Sequence, residues 1–139
     1  MVFCLVAGCS SNYGNFIKPE YNLPWLNESL AAEFQELIIS KSPPAWTQVT
    51  IKHESDDLFG MGITANLRQA GYAVAEYHPG QMSQGGMQLL YKIDHFGADM
   101  YLISVVLNDT SFSRVYSVNQ ATLAPQGRWT KLEVYHETK

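Results

Sequence analysis

Cys9 is the residue with the clearest chemistry in this chain. It closes the run Phe3-Cys4-Leu5-Val6-Ala7-Gly8, so a branched apolar residue and two small ones lead into a thiol. A processing peptidase needs small residues beside its scissile bond, and the Cys9 thiolate is nucleophilic enough to take a diacylglycerol. Val6-Ala7-Gly8-Cys9 therefore reads as a bacterial lipobox, with Cys9 as the lipidated first residue of the mature chain. Each buried methylene contributes roughly 0.8 kcal/mol, so two or three acyl chains anchor almost permanently where one does not. Eight residues precede Cys9 and none is Lys or Arg, whereas a secretory signal opens on a basic segment and runs about 15 to 30 residues. The expectation is a signal remnant at residues 1–8, with the true start upstream. The competing reading of the same run is a short buried strand, Phe3 to Ala7.

Other reactive pairings are poor. The four histidines, His53, His78, His95 and His136, never pair at i, i+2 or i+4, so no helix or strand presents a two-histidine metal face. Asp94-His95 is the one adjacent carboxylate and imidazole, but neighbours on a strand point to opposite faces. Asp56-Asp57 reads as helix-capping chemistry. Gly85-Gly86 has no phosphate-loop context, and no Gly-x-Ser-x-Gly elbow occurs. The expectation is a protein that is not an enzyme and uses no cofactor and no metal.

Composition points the same way. The net charge is −4 with no basic cluster, so a nucleic-acid footprint is missing. Cys4 and Cys9 are the two cysteines, and both lie in the targeting stretch. A domain downstream of Cys9 then has neither an intramolecular disulfide nor a cysteine metal site, which suits an oxidising compartment. No apolar run reaches the roughly 20 residues of a spanning helix. Without residues 1–8 the chain has the length of one domain, able to bury about two thirds of its unfolded surface.

These residues need elements to position them. From residue 9 to Leu26 the chain reads as a tether, punctuated by Asn12, Gly14, Asn15, Pro19, Asn22 and Pro24. Tyr13, Phe16, Tyr21 and Trp25 make it far more aromatic than a solvated linker. It either folds onto a partner protein or packs back onto its own domain. Residues 27–139 read as that domain. A first helix, Asn27 to Ser40, takes Asn27 as its cap, buries Leu30, Phe34, Leu37 and Ile38, and stops at Pro43-Pro44. A second, capped by Ser55-Asp56-Asp57, buries Phe59, Ile63, Leu67 and Ala70 and ends at Gly71. Gly60 and Gly62 in one turn imply close packing against a sheet. Strand-like segments fall at Thr47–His53, Tyr72–Tyr77, Met87–Phe96, Met100–Leu107, Phe112–Val118 and Arg128–Tyr135. The most apolar, Met100–Leu107, belongs at the centre with both faces buried. The order is read as α-β-α-β-β-β-β, an α+β layer whose single antiparallel-rich sheet has four to five strands and two helices on one face.

Three surface features bear on binding. Arg68 reads as a solvated charge on the second helix. Arg114, Arg128 and Trp129 come from neighbouring strands and could form one Arg/aromatic patch, the composition of interface hot spots; the alternative puts Trp129 in the core. An open sheet also leaves an edge strand to accept a partner's strand, without the sequence saying which strand it is.

The ordered run of Val49 and Ile51, Phe59-Gly60, Leu67-Arg68-Gln69-Ala70-Gly71-Tyr72-Ala73-Val74, Leu90-Tyr91-Lys92-Ile93-Asp94, Ser113-Arg114-Val115-Tyr116 and Pro125-Gln126-Gly127-Arg128-Trp129 resembles the conjugal transfer protein TrbH family. The resemblance spans about Ala45 to Lys131 plus the lipobox. It implies a small lipoprotein of a conjugative type IV secretion system, with other secretion subunits as partners, a membrane anchor at Cys9, and membership of a larger oligomeric assembly. Ser10 after the cysteine is similar to Gram-negative lipoproteins of the outer membrane, with the domain on the periplasmic face. The outline is also similar to the small α/β modules at the periplasmic ends of secretins. A second reading is a periplasmic lipoprotein that captures a small ligand or cell-wall glycan on a Tyr- and Trp-rich sheet.

Overall fold

Proline sets where the first helix begins. The computed structural model describes residues 12–80 and 85–133; Cys9 and the lipobox lie outside the described residues. Helix α1 (Pro24–Lys41) starts with Pro24 in its first turn, where the missing N–H is no loss and the fixed φ is already helical. It therefore starts three residues before the expected Asn27, and Trp25 and Leu26 belong to it rather than to a tether. Leu26, Leu30, Phe34 and Ile38 are buried, each side chain contributing about 1.5–3 kcal/mol. Helix α2 (Leu58–Gln69) is capped by Asp57, whose carboxylate accepts the Gly60 N–H at 2.9 Å. Its C-terminus closes with Tyr72 N–H donating to Leu67 O at 2.9 Å and Gly71 N–H to Arg68 O at 3.1 Å. Gly71 takes φ +106°, the left-handed conformation that this ending requires.

The strands are β1 (Gly14–Asn15), β2 (Gln48–Ile51), β3 (Ala73–Ala75), β4 (Met87–Phe96), β5 (Met100–Leu107), β6 (Thr110–Asn119) and β7 (Thr122–Glu133). They form one seven-stranded sheet in the order β3-β2-β4-β5-β6-β7, with β1 also paired to β4. The pairings β1–β4, β2–β3 and β2–β4 are parallel, and β4 through β7 form an antiparallel meander. The sheet is thus mixed, with more strands than the four to five expected, and among the described residues a strand precedes the first helix. Two causes account for the difference. A two-residue β1 is too short to show a period, and the helical crossovers make β2 run parallel to its neighbours.

The first two strands share one side of β4. β2 pairs with Met87–Leu89, and β1 pairs further along with Lys92 and Ile93. Residues 12–26 therefore lie against the domain, as the packing-back alternative describes.

Tyr91 and Tyr116 on the sheet reach Asp57 beside α2 and Glu33 on α1, so both helices cover the same face. Leu89, Tyr91, Ile93, Tyr101, Ile103, Val105, Phe112 and Tyr116 are buried there. The other face shows Leu90, Leu102, Ser104, Val106, Ser113 and Val115, all half-exposed. β5 is interior as expected, but one of its faces stays open.

Helix and sheet meet closely at Gly60. A Cβ there would fall against the Ser55 carbonyl and 2.5 Å from the Tyr91 hydroxyl oxygen. Gly62 looks instead at Ala31 of α1, with 3.6 Å between that methyl and a built Cβ. The close packing expected for both glycines against the sheet therefore belongs to Gly60.

β7 begins well before the expected Arg128. The break expected at Ala124-Pro125-Gln126-Gly127 lies within the strand, with Pro125 opposite Tyr116 and a register shift across Ser113/Val115. Proline is tolerated there because β7 is an edge strand, and Gly127 at φ +96° carries the bulge. β6 and β7 join through Gln120 and Ala121, both at positive φ, 52° and 59°.

Candidate functional site

Between the end of β2 and the start of β1, the inner edge of β4 has no strand partner, and a side chain fills the gap. The His53 Nδ1–H donates to the Glu54 carbonyl at 2.9 Å. That leaves Nε2 bare, and it accepts the backbone N–H of Tyr91 at 3.0 Å. A neutral imidazole thus replaces a strand carbonyl at the gap. Tyr13 stacks on this ring with centroids 5.7 Å apart. Burial lowers the His53 pKa below its ordinary value, and the Glu54 bond and the Asp57 charge oppose that shift.

A second imidazole holds the other end of the segment. His95 Nδ1 accepts the Lys18 N–H at 3.2 Å, its ring lies on Tyr101 at 4.5 Å, and Tyr21 meets it edge-on at 5.1 Å. Asp94 faces away on the open side of the sheet, 3.7 Å from Lys92 Nζ. The adjacent carboxylate and imidazole therefore do not act on each other.

Beneath β1 runs a buried polar chain. Asn15 Nδ2 donates to Asn27 Oδ1 at 3.0 Å and reaches Asp57 Oδ1 at 3.4 Å. Asn27, expected as a helix cap, is instead almost wholly buried inside α1. It donates to Asn22 Oδ1 at 2.7 Å and to Leu23 O at 2.9 Å. Asp57 takes the Tyr91 hydroxyl on its second oxygen at 2.7 Å. Burial, then the hydrogen bond and charge of Asp57, push the Tyr91 pKa far up, so this phenol stays a donor.

The N-terminal residues singled out for docking divide accordingly. Tyr13 and Trp25 are half-buried, Trp25 packing against the core. Phe16 is 46% exposed and Tyr21 37%. Phe16 lies under Lys92 Nζ, 5.9 Å from its ring centroid, which sets it on the open face.

Of the three C-terminal residues, two come together. Arg114 stands over the rings of Tyr116 and Trp129, at 5.5 and 5.8 Å. Its Nε donates to Gly127 O at 2.9 Å, and an Nη lies 3.7 Å from Glu33 on α1. Tyr116 donates to the same Glu33 oxygen at 3.1 Å; burial, then the Glu33 charge, raise its pKa. Trp129 is half-buried against the core. The cluster stitches α1 to the β6–β7 hairpin, while Arg128 stands exposed outside it. Arg68 is exposed and pairs with Glu76 at 3.1 Å.

Sequence reasoning assigned no such role to His53, His95, Asn15 or Asn27. A histidine just past a strand end carries no signal of what it will accept from a strand distant in sequence. The expected Asp57 cap was the one legible member.

Among the described residues no group of three or more His, Cys, Asp or Glu could hold a metal ion, and no helix is long and apolar enough to cross a membrane. The geometry defines a small α+β domain whose N-terminal segment is latched into its own mixed sheet by two imidazoles and a partly buried amide chain. Residues 10–133 match the family model described as conjugal transfer protein TrbH, and the chain belongs to that family, which makes it a component of a conjugal transfer system. No curated protein and no solved structure matches it.

Proposed function

We propose that this chain is an outer-membrane lipoprotein, anchored through Cys9, that serves as a structural rather than enzymatic subunit of a conjugative type IV secretion machine. Its periplasmic domain docks with larger subunits, and the anchor turns that docking into a two-dimensional search at high effective concentration. The observation that carries the docking role is the sheet face left open by the helices. Across β5 and β6 that face consists of Met100, Leu102, Ser104, Val106, Ser111, Ser113, Val115 and Ser117, with no ionisable side chain. A flat neutral surface costs little to desolvate, and Phe16 extends it beside Lys92. The cavity of about 370 Å³ between α1 and the β6–β7 hairpin, lined by Ser29, Ala32, Glu33, Ala121, Thr122 and Leu123, offers no aromatic wall to a ligand or glycan.

The test is an intact mass on membrane-extracted protein, expressed from the longest in-frame start in a Gram-negative host, together with plasmid transfer from donors in which the gene is deleted. The expected mass is that of residues 9–139 plus a diacylglycerol and an acyl chain. The wild-type gene should restore transfer and Cys9→Ser should not. An unmodified soluble chain, or full transfer with Cys9→Ser, overturns the proposal.

A further inference from the structure

Among the described residues, the strand path β3-β2-β4-β5-β6-β7 ends on two unequal strands. One is β3, three residues long, and the other is β7, twelve residues long. The first half of β7 is guarded by Pro125, which has no N–H to offer a partner, and by the bulge at Gly127. After the bulge the strand runs in register with β6, Thr130 opposite Ser113 and Glu133 opposite Thr110. Among the described residues no strand lies on its outer side. Leu132 stands on this stretch at 68% exposure, between Lys131 on one side and Glu133 on the other.

We propose that this edge pairs with the same edge of a second copy, antiparallel about a two-fold axis through Leu132. A two-fold axis normal to the sheet keeps each face on its own side, so residues that meet must share a face. Lys131 and Glu133 do share one, two positions apart, with Nζ to Oε1 at 3.4 Å. Centred on Leu132, the antiparallel register sets Lys131 opposite Glu133 of the second copy, and Glu133 opposite its Lys131. Leu132 then meets Leu132 on the open face, and each removes the other's exposed side chain from water. Centring one residue earlier would set lysine against lysine, which is destabilising. The alternating charges thus fix both the occupant and the register. The result is one continuous sheet across two copies, with the two open faces contiguous. The inference does not depend on the anchor.

Edge pairing buries less than a standard interface, so the association is weak and is read at high concentration. Sedimentation equilibrium of the full chain carrying Cys4→Ser and Cys9→Ser, from about 10 μM to about 1 mM, should show a reversible monomer–dimer equilibrium. Lys131→Glu should weaken it roughly tenfold or more by opposing like charges twice. Adding Glu133→Lys to that variant should restore it. In the same background, mild oxidation should cross-link Leu132→Cys, because directly opposed Cα atoms lie about 4.5–5.5 Å apart, within disulfide range. Thr130→Cys should stay uncrosslinked, since the two copies of that position are about 13 Å apart along the strand. All four positions are on the surface, and circular dichroism checks that each variant folds. A monomer at every concentration, no rescue by the double reversal, or equal cross-linking at position 130 overturns the proposal; the first outcome would leave the edge to a strand from a different protein.

Discussion

Protonation of His53 should loosen the fold from within the sheet. In the neutral ring both nitrogens are used, Nδ1–H on the Glu54 carbonyl and Nε2 on the Tyr91 N–H. A second proton puts an N–H against an N–H. The bond is lost, and a backbone donor of a buried residue is left without a partner, a cost of about 1–3 kcal/mol. Burial already lowers the folded-state pKa of His53, whereas the unfolded chain titrates near the ordinary 6.5. The unfolded state therefore binds the proton more tightly. Stability is complete above about pH 6.5 and falls as the pH drops through that value toward the folded pKa. The Glu54 carbonyl bond and the Asp57 charge act on the ring in the opposite direction and are outweighed by burial. Urea unfolding at pH 8, 7, 6 and 5 is the assay, with His53→Gln as the comparison because an amide oxygen accepts the same N–H at any pH. The wild-type midpoint should fall relative to His53→Gln between pH 7 and 5, toward a ceiling of about 1–3 kcal/mol. A pH-independent difference between the two proteins, or a wild type that gains on acidification, refutes the reasoning.

Two further substitutions test the packing. Gly60→Ala drives a methyl into the Ser55 carbonyl and the Tyr91 hydroxyl and should destabilise by about 1–3 kcal/mol or more. Gly62→Ala meets only the Ala31 methyl, at 3.6 Å, and should stabilise by about 0.5–1 kcal/mol through helix propensity; thermal melts of the pair should move in opposite directions. At the β6–β7 turn, Gln120 and Ala121 both sit at positive φ, where a side chain costs roughly 1–2 kcal/mol. The double change to Asn-Gly, the pair preferred in such turns, should raise the melting temperature, and a lower one would show that the strain lies elsewhere.

The elements with a period were legible and those without one were not. Leu30, Phe34, Leu37 and Ile38 recur at helical spacing, and all are buried. The β4 and β5 bounds match the expected strands residue for residue, because alternation and the Gly97 turn both mark them. β1 escaped because two residues between Asn12 and Pro19 gain strand geometry from β4 and not from their own sequence. Pro125 misled for a related reason: a proline reads as a break unless the strand is known to lie on an edge, and edges are fixed only when the whole sheet is assembled. Asn27 had the right chemistry for a cap, but Pro24 moved the helix start past it and left it to bond within the core. The Arg114 and Trp129 pairing was foreseeable from adjacent strands, whereas Glu33 drawing Arg114 inward was not.

The two residues of β1 change the geometry of anchoring. A loose leash from residue 9 to Leu26 would reach about 60 Å when extended. With Gly14 seated beside Lys92, four residues remain between Cys9 and the sheet, a reach of at most about 18 Å. A domain held in a bilayer through Cys9 then stands on that bilayer like a bracket, with a restricted height and tilt. Its open face points in a direction set by the fold rather than by diffusion of a loose chain. A pull on the chain upstream of Tyr13 passes through β1 into β4 before it reaches either helix, so the sheet is the part that bears the load.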